Sequence, residues 1–145
     1  MISGKDVVLV TLQALLLIAL VACPPTWLLP GSPYPVYLAY VIIGLGLLTA
    51  LLAVTQLKTA LTPWPTPRPG GRLVTTGMYG WARHPIYGGL LLMALGVVLL
   101  KGSGLHLLLA GALFGLLYYK SVYEEQLLRQ QYPEYAAYAD HVRRF

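Results

Sequence analysis

Four long apolar segments dominate the sequence and leave few ways for the chain to fold. They run from about Asp6 to Cys23, from about Tyr34 to Leu57, from Pro85 to about Leu100 and from Leu105 to about Tyr123. A membrane-spanning helix needs roughly 17–25 residues, so the first two segments qualify, the third is short and the fourth is marginal. Of the 145 residues, 57% are hydrophobic and 10% are charged. Because so small a domain cannot bury that much apolar surface in its own core, we predict an all-α, polytopic membrane protein with about four transmembrane helices in a single domain, 1–145.

The distribution of basic residues predicts the orientation of these helices. The first loop, residues 24–33, has no Lys or Arg, whereas the connection between the second and third spans has four. Lys5 precedes the first span, Lys120 lies near the last membrane boundary, and three arginines follow in the tail. By the positive-inside rule, both termini and the long connection should be cytoplasmic. The positive-inside distribution also explains the net charge of +5. Because no basic run is interleaved with stacking aromatics, we expect no nucleic-acid partner.

The single cysteine, Cys23, excludes an internal disulfide. The segment Leu20-Val21-Ala22-Cys23 resembles the end of a lipoprotein signal. The alternative, which we favour, is a membrane helix that ends at Pro24-Pro25. No pair among the three histidines has the spacing of metal ligands, and no thiolate cluster accompanies them, so we predict no metal site.

The connection from Thr59 to His84 is longer than a small helical bundle needs, and loops longer than about 12–15 residues are usually functional or disordered. Its first half has alternating prolines from Pro63 to Pro69, which favour extended geometry. Its second half, Gly70 to Trp81, combines glycines with large aromatics and suits a packed loop that brings backbone amides close to a ligand. An interfacial re-entrant loop, with Trp and Tyr at headgroup level, is the alternative.

A first polar cluster, Arg83-His84-Pro85-Ile86-Tyr87, opens the third apolar segment. Pro85 suits the first helical position, so the free amides and the positive dipole end of the helix should face the cytoplasmic boundary. The free amides at such a helix start can bind an anion, and the guanidinium of Arg83 can donate two further hydrogen bonds to it. The alternative is that Arg83 and His84 only anchor the helix at the headgroups.

A second polar cluster, Glu124-Glu125, follows the fourth segment. Carboxylates at the end of a membrane helix usually have partners, and Glu125 and Arg129 are four residues apart, so they can pair on one helix face. A solvated face is the alternative, and it suits Glu124 better than Glu125. The tail, Glu124 to Phe145, is too polar to span. Its aromatic and aliphatic residues fall near one face of a helix begun by Pro133, which predicts an amphipathic interfacial helix that can close a site from below. These residues are Tyr135, Tyr138, Val142 and Phe145.

Together these residues resemble the isoprenylcysteine carboxyl methyltransferase family, which is related to the phospholipid N-methyltransferases. The matching elements are Gly77-x-Tyr79, then Arg83-His84-Pro85-x-Tyr87-x-Gly89 opening a short helical hairpin, then Glu124-Glu125, then Tyr132-x-x-Tyr135-x-x-Tyr138-x-x-x-Val142-x-Arg144. The resemblance covers roughly Leu57 to Phe145. Eukaryotic members carry extra membrane helices, so the resemblance does not extend to a dedicated prenyl-protein groove. We expect an integral protein of a prokaryotic inner membrane.

The resemblance implies S-adenosylmethionine as methyl donor, held in a cytoplasmic pocket formed by the loop, the start of the hairpin and the tail. Carried over by position, the cofactor-binding residues are Gly77, Met78, Tyr79, His84, Pro85, Tyr87, Glu124 and Glu125. In the same way Arg83, Glu125 and Arg129 become the catalytic residues. The arginines would orient the substrate or the cofactor carboxylate, and Glu125 would bind the cofactor ammonium or order its neighbours.

The expected activity is methyl transfer to an amphiphilic acceptor that enters from the bilayer: an isoprenylcysteine-like carboxylate, a lipid amine or a hydrophobic thiol. The expected partners are therefore the lipid bilayer and a lipid-like substrate. Two alternatives remain open. One is an NADPH-dependent membrane reductase of the sterol-reductase type, which shares the Arg-His-Pro-x-Tyr element. The other is a non-catalytic membrane scaffold with the same fold.

Overall fold

Helices account for the regular structure of the chain, which a computed structural model describes for residues 2–26 and 36–145. The helices are α1 (Gly4–Ala22), α2 (Val36–Leu57), α3 (Pro85–Lys101), α4 (Gly104–Gln131) and α5 (Tyr135–His141), with short 3-10 turns at Lys58–Ala60 and Gly77–Gly80. Within the described residues there is no strand, and an isolated bridge joins Ala82 to Arg143. The all-α prediction is confirmed.

Helices α1, α2 and α4 are long and apolar enough to cross a membrane, and α3 is a shorter apolar helix of 17 residues. Large apolar side chains on the spanning helices face outward, as at Ile18, Leu48 and Leu108, which are 61%, 53% and 64% exposed. Such surfaces are stable against lipid rather than water. The protein is therefore an integral membrane protein, as predicted.

The apolar segments and the helices differ at two boundaries. Helix α4 continues eight residues beyond Tyr123, to Gln131, because neither Pro nor Gly interrupts it before Pro133. The tail helix is shorter than predicted: α5 has seven residues, and Pro133 precedes it instead of starting it. Val142 is extended, so the expectation that Val142 and Phe145 continue one helical face is wrong. The predicted start of the second span at Tyr34 lies outside the described residues.

Helices α2 and α3 pack closely because glycines line their contact. A Cβ atom added to Gly46 would lie 2.6 Å from the carbonyl oxygen of Gly89, and one added to Gly89 would lie 2.6 Å from that of Gly46. At Gly96 an added Cβ would meet the Ile43 side chain at 2.5 Å. Small residues allow such backbone approach in membrane bundles. This contact fixes the start of α3, with its polar cluster, against the end of α2.

The N-terminus of α1, the long loop and the C-terminal half of α4 meet at one end of the bundle. There the hydroxyl of Thr66 donates to the carboxylate of Asp6 at 2.6 Å, and Asp6 is fully buried. At the opposite end, the hydroxyl of Ser103, between α3 and α4, bonds the backbone of Thr26 after α1. We call the first of these the loop end of the bundle, and the candidate site lies there.

Candidate functional site

A cavity of about 390 Å³ lies at the loop end, between α1, α2, the loop, α3, α4 and the tail. Its size falls in the range of roughly 300–1,000 Å³ that small-molecule sites occupy. Apolar residues of α1 and α2, such as Val10, Val54 and Leu57, line one side. Five tyrosines contribute to the rest: Tyr79, Tyr87, Tyr132, Tyr135 and Tyr138. Its charged or titratable lining residues, tyrosines apart, are Arg68, Arg72, Arg83, His84, Lys120 and Glu124.

The wall formed by the start of α3 and by α4 carries three linked polar side chains. Pro85 is the first residue of α3, as predicted, and His84 is its N-cap. The imidazole of His84 stacks on the ring of Tyr87, with the centroids 5.2 Å apart and the planes at 6°. The Tyr87 hydroxyl donates to Oε2 of Glu124 at 2.7 Å, and Nδ1 of His84 lies 3.8 Å from the same oxygen. These contacts connect the first turn of α3 to the turn of α4 that carries Glu124, beside the cavity.

Glu125 is the centre of a buried ion-pair network. Nε2 of His84 lies 3.1 Å from its Oε1, and an ionised carboxylate can only accept, so the histidine donates. The guanidinium of Arg144 donates to both carboxylate oxygens at 3.0 Å. Nε of Arg83 lies 3.4 Å from Oε1, while its Nη1 donates to the carbonyl of Ala139 at 2.9 Å. The network joins α3, α4 and the tail through one carboxylate.

The tail completes the site by pairing with the segment before α3. The amides of Arg83 and His84 donate to the carbonyls of Arg143 and Arg144 at 2.7 and 2.9 Å. The Tyr138 hydroxyl donates to the carbonyl of Tyr79 at 2.6 Å, and burial raises the pKa of Tyr138 to about 12. That hydroxyl is therefore protonated at neutral pH and can donate. Through these contacts the tail covers the side of the cavity lined by Tyr135 and Tyr138.

Half of the residues predicted for the site line the cavity. They are Tyr79, Arg83, His84, Tyr87 and Glu124. Pro85 and Glu125 are buried beside it and hold its walls. Gly77 and Met78 instead contact α2: the Met78 amide donates to Oε1 of Gln56 at 2.8 Å, and a Cβ on Gly77, at φ +62°, would meet that oxygen at 2.6 Å.

The predicted pairing of Glu125 with Arg129 is wrong. Arg129 is exposed, and its guanidinium lies over the ring of Tyr135, 5.8 Å from the centroid. An exposed pair four residues apart on a helix stabilises by only about 0.2–0.5 kcal/mol. The two-pronged contact with Arg144 is buried and bidentate, and is the stronger interaction.

The two alternatives for the loop are both partly realised. Trp81 is 83% exposed and suits a headgroup anchor, whereas Tyr79 is 7% exposed and lines the cavity. The same loop segment therefore supplies an interfacial residue and a wall of the pocket.

The folded chain also brings four residues to the site that were not predicted as site residues: Lys120, Tyr135, Tyr138 and Arg144. Lys120 precedes Glu124 by four residues, so its position on the same helix face was visible in the sequence. The tyrosine repeat of the tail was visible too. Arg144 belongs to the tail pattern that carries the family resemblance, but no spacing in the sequence pairs it with Glu125, because that contact depends on how the tail docks.

The family follows from a comparison with known sequences, since the sequence model of the phospholipid methyltransferase family matches residues 34–135. The chain belongs to that family. The matched region includes the loop, the start of α3, and Glu124-Glu125. Membership confirms the predicted resemblance to membrane methyltransferases and indicates a transferase. No curated protein and no solved structure gives a significant match.

Proposed function

We propose that the protein transfers a methyl group from S-adenosylmethionine to an amphiphilic acceptor at the cytoplasmic face of the membrane. The observation that carries the proposal is the wall of His84, Tyr87 and Glu124 beside a cavity of about 390 Å³, in a chain of a methyltransferase family.

The lining residues fit this cofactor in charge and shape. Its ammonium needs a carboxylate. Glu124 lines the cavity, and in the described parts of the chain only its Oε2 accepts a hydrogen bond, from Tyr87. Its carboxylate needs a cation, which Arg83 would supply. Tyrosine faces attract the positive sulfonium. The hydroxyl of Tyr135 is buried without a hydrogen-bond partner among the described residues, and it is a donor available to a ligand.

The bound cofactor would supply a methyl group on a positively charged sulfur that departs as a neutral thioether. No general acid is then needed, and catalysis depends on in-line positioning and on exclusion of water. We assign the positioning to Glu125, which holds His84 and the tail in place. The docked tail would help to exclude water by covering the side of the cavity lined by Tyr135 and Tyr138. A carboxylate or thiolate acceptor needs no base, whereas an amine must lose a proton, which Glu124 can accept.

The acceptor would place its apolar part against the α1 and α2 side of the cavity, where Val10, Val54 and Leu57 lie. That side fits the isoprenyl, acyl or alkyl chain of each candidate acceptor: an isoprenylcysteine-like carboxylate, a lipid amine or a hydrophobic thiol.

The decisive experiment is calorimetric titration of the detergent-purified protein with S-adenosylhomocysteine and, separately, with NADPH. We expect binding of the first alone. The variant Glu124→Gln should bind S-adenosylhomocysteine about 10- to 150-fold more weakly, because a charge-assisted hydrogen bond contributes about 1.5–3 kcal/mol. Glu134→Gln, at an exposed carboxylate, is the matched control and should bind like the parent.

Two outcomes contradict the proposal. Binding of NADPH without S-adenosylhomocysteine would point to the membrane reductase. Binding of neither would favour a non-catalytic scaffold.

A further inference from the structure

Lys120 is a buried cation in the membrane-spanning part of α4. Its side chain lines the cavity, and the residue is only 2% exposed. It precedes Glu124 by one helical turn, about 6 Å deeper into the bundle. Charged residues at such depth are costly, and they usually mark a functional site with a specific partner.

Among the described residues, the hydrogen-bond partners of this ammonium are all neutral. Nζ donates to Oε1 of Gln13 on α1 at 2.7 Å and lies 3.5 Å from the carbonyl of Pro63. It also lies 5.2 Å from the centroid of the Tyr87 ring. No ion pair in the described parts of the chain includes Lys120.

The nearest acidic side chains, Glu124 and Asp6, lie beyond ion-pair distance of the ammonium and accept hydrogen bonds from other groups. Glu124 accepts from Tyr87, and Asp6 accepts from Thr66 and from the amide of Ser3. A buried ammonium that forms no ion pair is destabilising, because carboxylates beyond contact distance offset only part of its desolvation. The third donor of Lys120 and its charge are therefore available to a negatively charged ligand.

We propose that Lys120 binds an oxyanion on the headgroup of the acceptor, a carboxylate or a phosphate, and so selects anionic amphiphiles. This inference rests on the proposed function and narrows its acceptor class. Lys120 is a specificity-determining residue for the acceptor, not a ligand of the cofactor. It lies between α1 and α4, where it donates to Gln13, and so would hold the headgroup next to the apolar α1 and α2 side of the cavity that takes the acceptor's chain.

The other cations of the cavity are less suited to this task. Arg68 and Arg72 are exposed on the loop, where water and salt weaken attraction to an anion. Arg83 faces Glu125 at 3.4 Å, and we have assigned it to the carboxylate of the cofactor. Lys120 alone combines burial with the absence of a carboxylate partner among the described cavity residues.

The test compares three amphiphiles with the same chain: hexadecanoate, hexadecyl phosphate and hexadecylamine. Each is titrated into the parent protein in dodecyl maltoside micelles, without cofactor, and binding is followed by microscale thermophoresis. We expect at least one anion to bind more tightly than the amine. Whichever anion binds better identifies the oxyanion as a carboxylate or a phosphate.

In Lys120→Met the affinity for that anion should fall about 10- to 150-fold, the loss expected for a charge-assisted hydrogen bond. The affinity for S-adenosylhomocysteine should stay within about twofold. Gln13→Leu is the matched control, since it removes the neutral partner of Lys120 but keeps the charge, and it should retain anion selectivity.

The proposal is overturned if the parent prefers hexadecylamine, or if Lys120→Met binds the anion like the parent. It is also overturned if the variant loses affinity for S-adenosylhomocysteine instead, because the oxyanion would then belong to the cofactor. If Lys120→Met does not fold, the anion preference of the parent and its retention in Lys120→Arg decide the question. Failure of the parent to bind S-adenosylhomocysteine would refute the methyltransferase proposal separately.

Discussion

Replacing Glu125 by Gln tests whether this carboxylate holds the tail against the start of α3. Glutamine keeps the shape but has one acceptor oxygen and no charge. The variant therefore loses one prong of the Arg144 contact, at 3.0 Å, and the attraction to Arg83 at 3.4 Å. A hydrogen bond to a charged group contributes about 1.5–3 kcal/mol, and removing one partner of a buried ion pair costs about 3–5 kcal/mol.

Partial exposure of the two arginines lowers that cost. The side chains of Arg83 and Arg144 are 13% and 22% exposed, so water can solvate part of the charge left behind. We expect tail docking to weaken by about 2–3 kcal/mol, which corresponds to an opening constant about 30- to 150-fold larger.

Amide hydrogen exchange measures this opening directly. The amides of Arg83 and His84 donate to tail carbonyls, so they should exchange about 30- to 150-fold faster in Glu125→Gln. Amides in the middle of α2 should be unchanged, and Glu134→Gln should match the parent everywhere. If the amides of Arg83 and His84 exchange at the parental rate in Glu125→Gln, Glu125 does not hold the tail against the start of α3.

Three further predictions concern packing, pH and orientation. Gly89→Ala should lower the free energy of unfolding by about 1–3 kcal/mol through overpacking. Gly88→Ala is the control and should not lower it, because nothing lies within 4 Å of the added Cβ. Equal thermal midpoints of the two variants in detergent would contradict the close contact of α2 and α3. The pKa of Tyr138 is raised to about 12, above the unfolded value of about 10, so its stabilising effect should be constant below the unfolded pKa and be lost as pH rises through the folded one. The stability difference between the parent and Tyr138→Phe should shrink over that interval, and a constant difference up to pH 12 would be inconsistent with the buried hydroxyl. In a cysteine-free background, cysteine at Thr76 should be labelled only from the cytoplasmic side and cysteine at Thr26 only from the opposite side, and the reverse pattern would refute the proposed orientation.

The sequence by itself determined the fold class, and half of the site residues predicted from it line the candidate cavity. Apolar segments of 17–25 residues dictate helices, because each backbone N–H and C=O in lipid must be satisfied within its own segment. Pro85 fixed the start of α3, and the Arg83-to-Tyr87 and Glu124-Glu125 clusters marked the site. These signals are local: each lies in one continuous stretch of the chain, so they can be read without knowing which helices touch.

The tertiary structure alone decided which partner each charged side chain takes. Sequence spacing paired Glu125 with Arg129, yet the docked tail brings Arg144 to Glu125 from 19 residues away, and it pairs the backbones of Arg83 and Arg143 across 60 residues. Helix packing likewise turned Lys120, a boundary residue by sequence, into a buried cavity wall beside Gln13 of α1, 107 residues distant. The physical reason is that the energy of a charge depends on its burial and on its nearest counter-charge, and both are set by contacts between segments that are far apart in the chain.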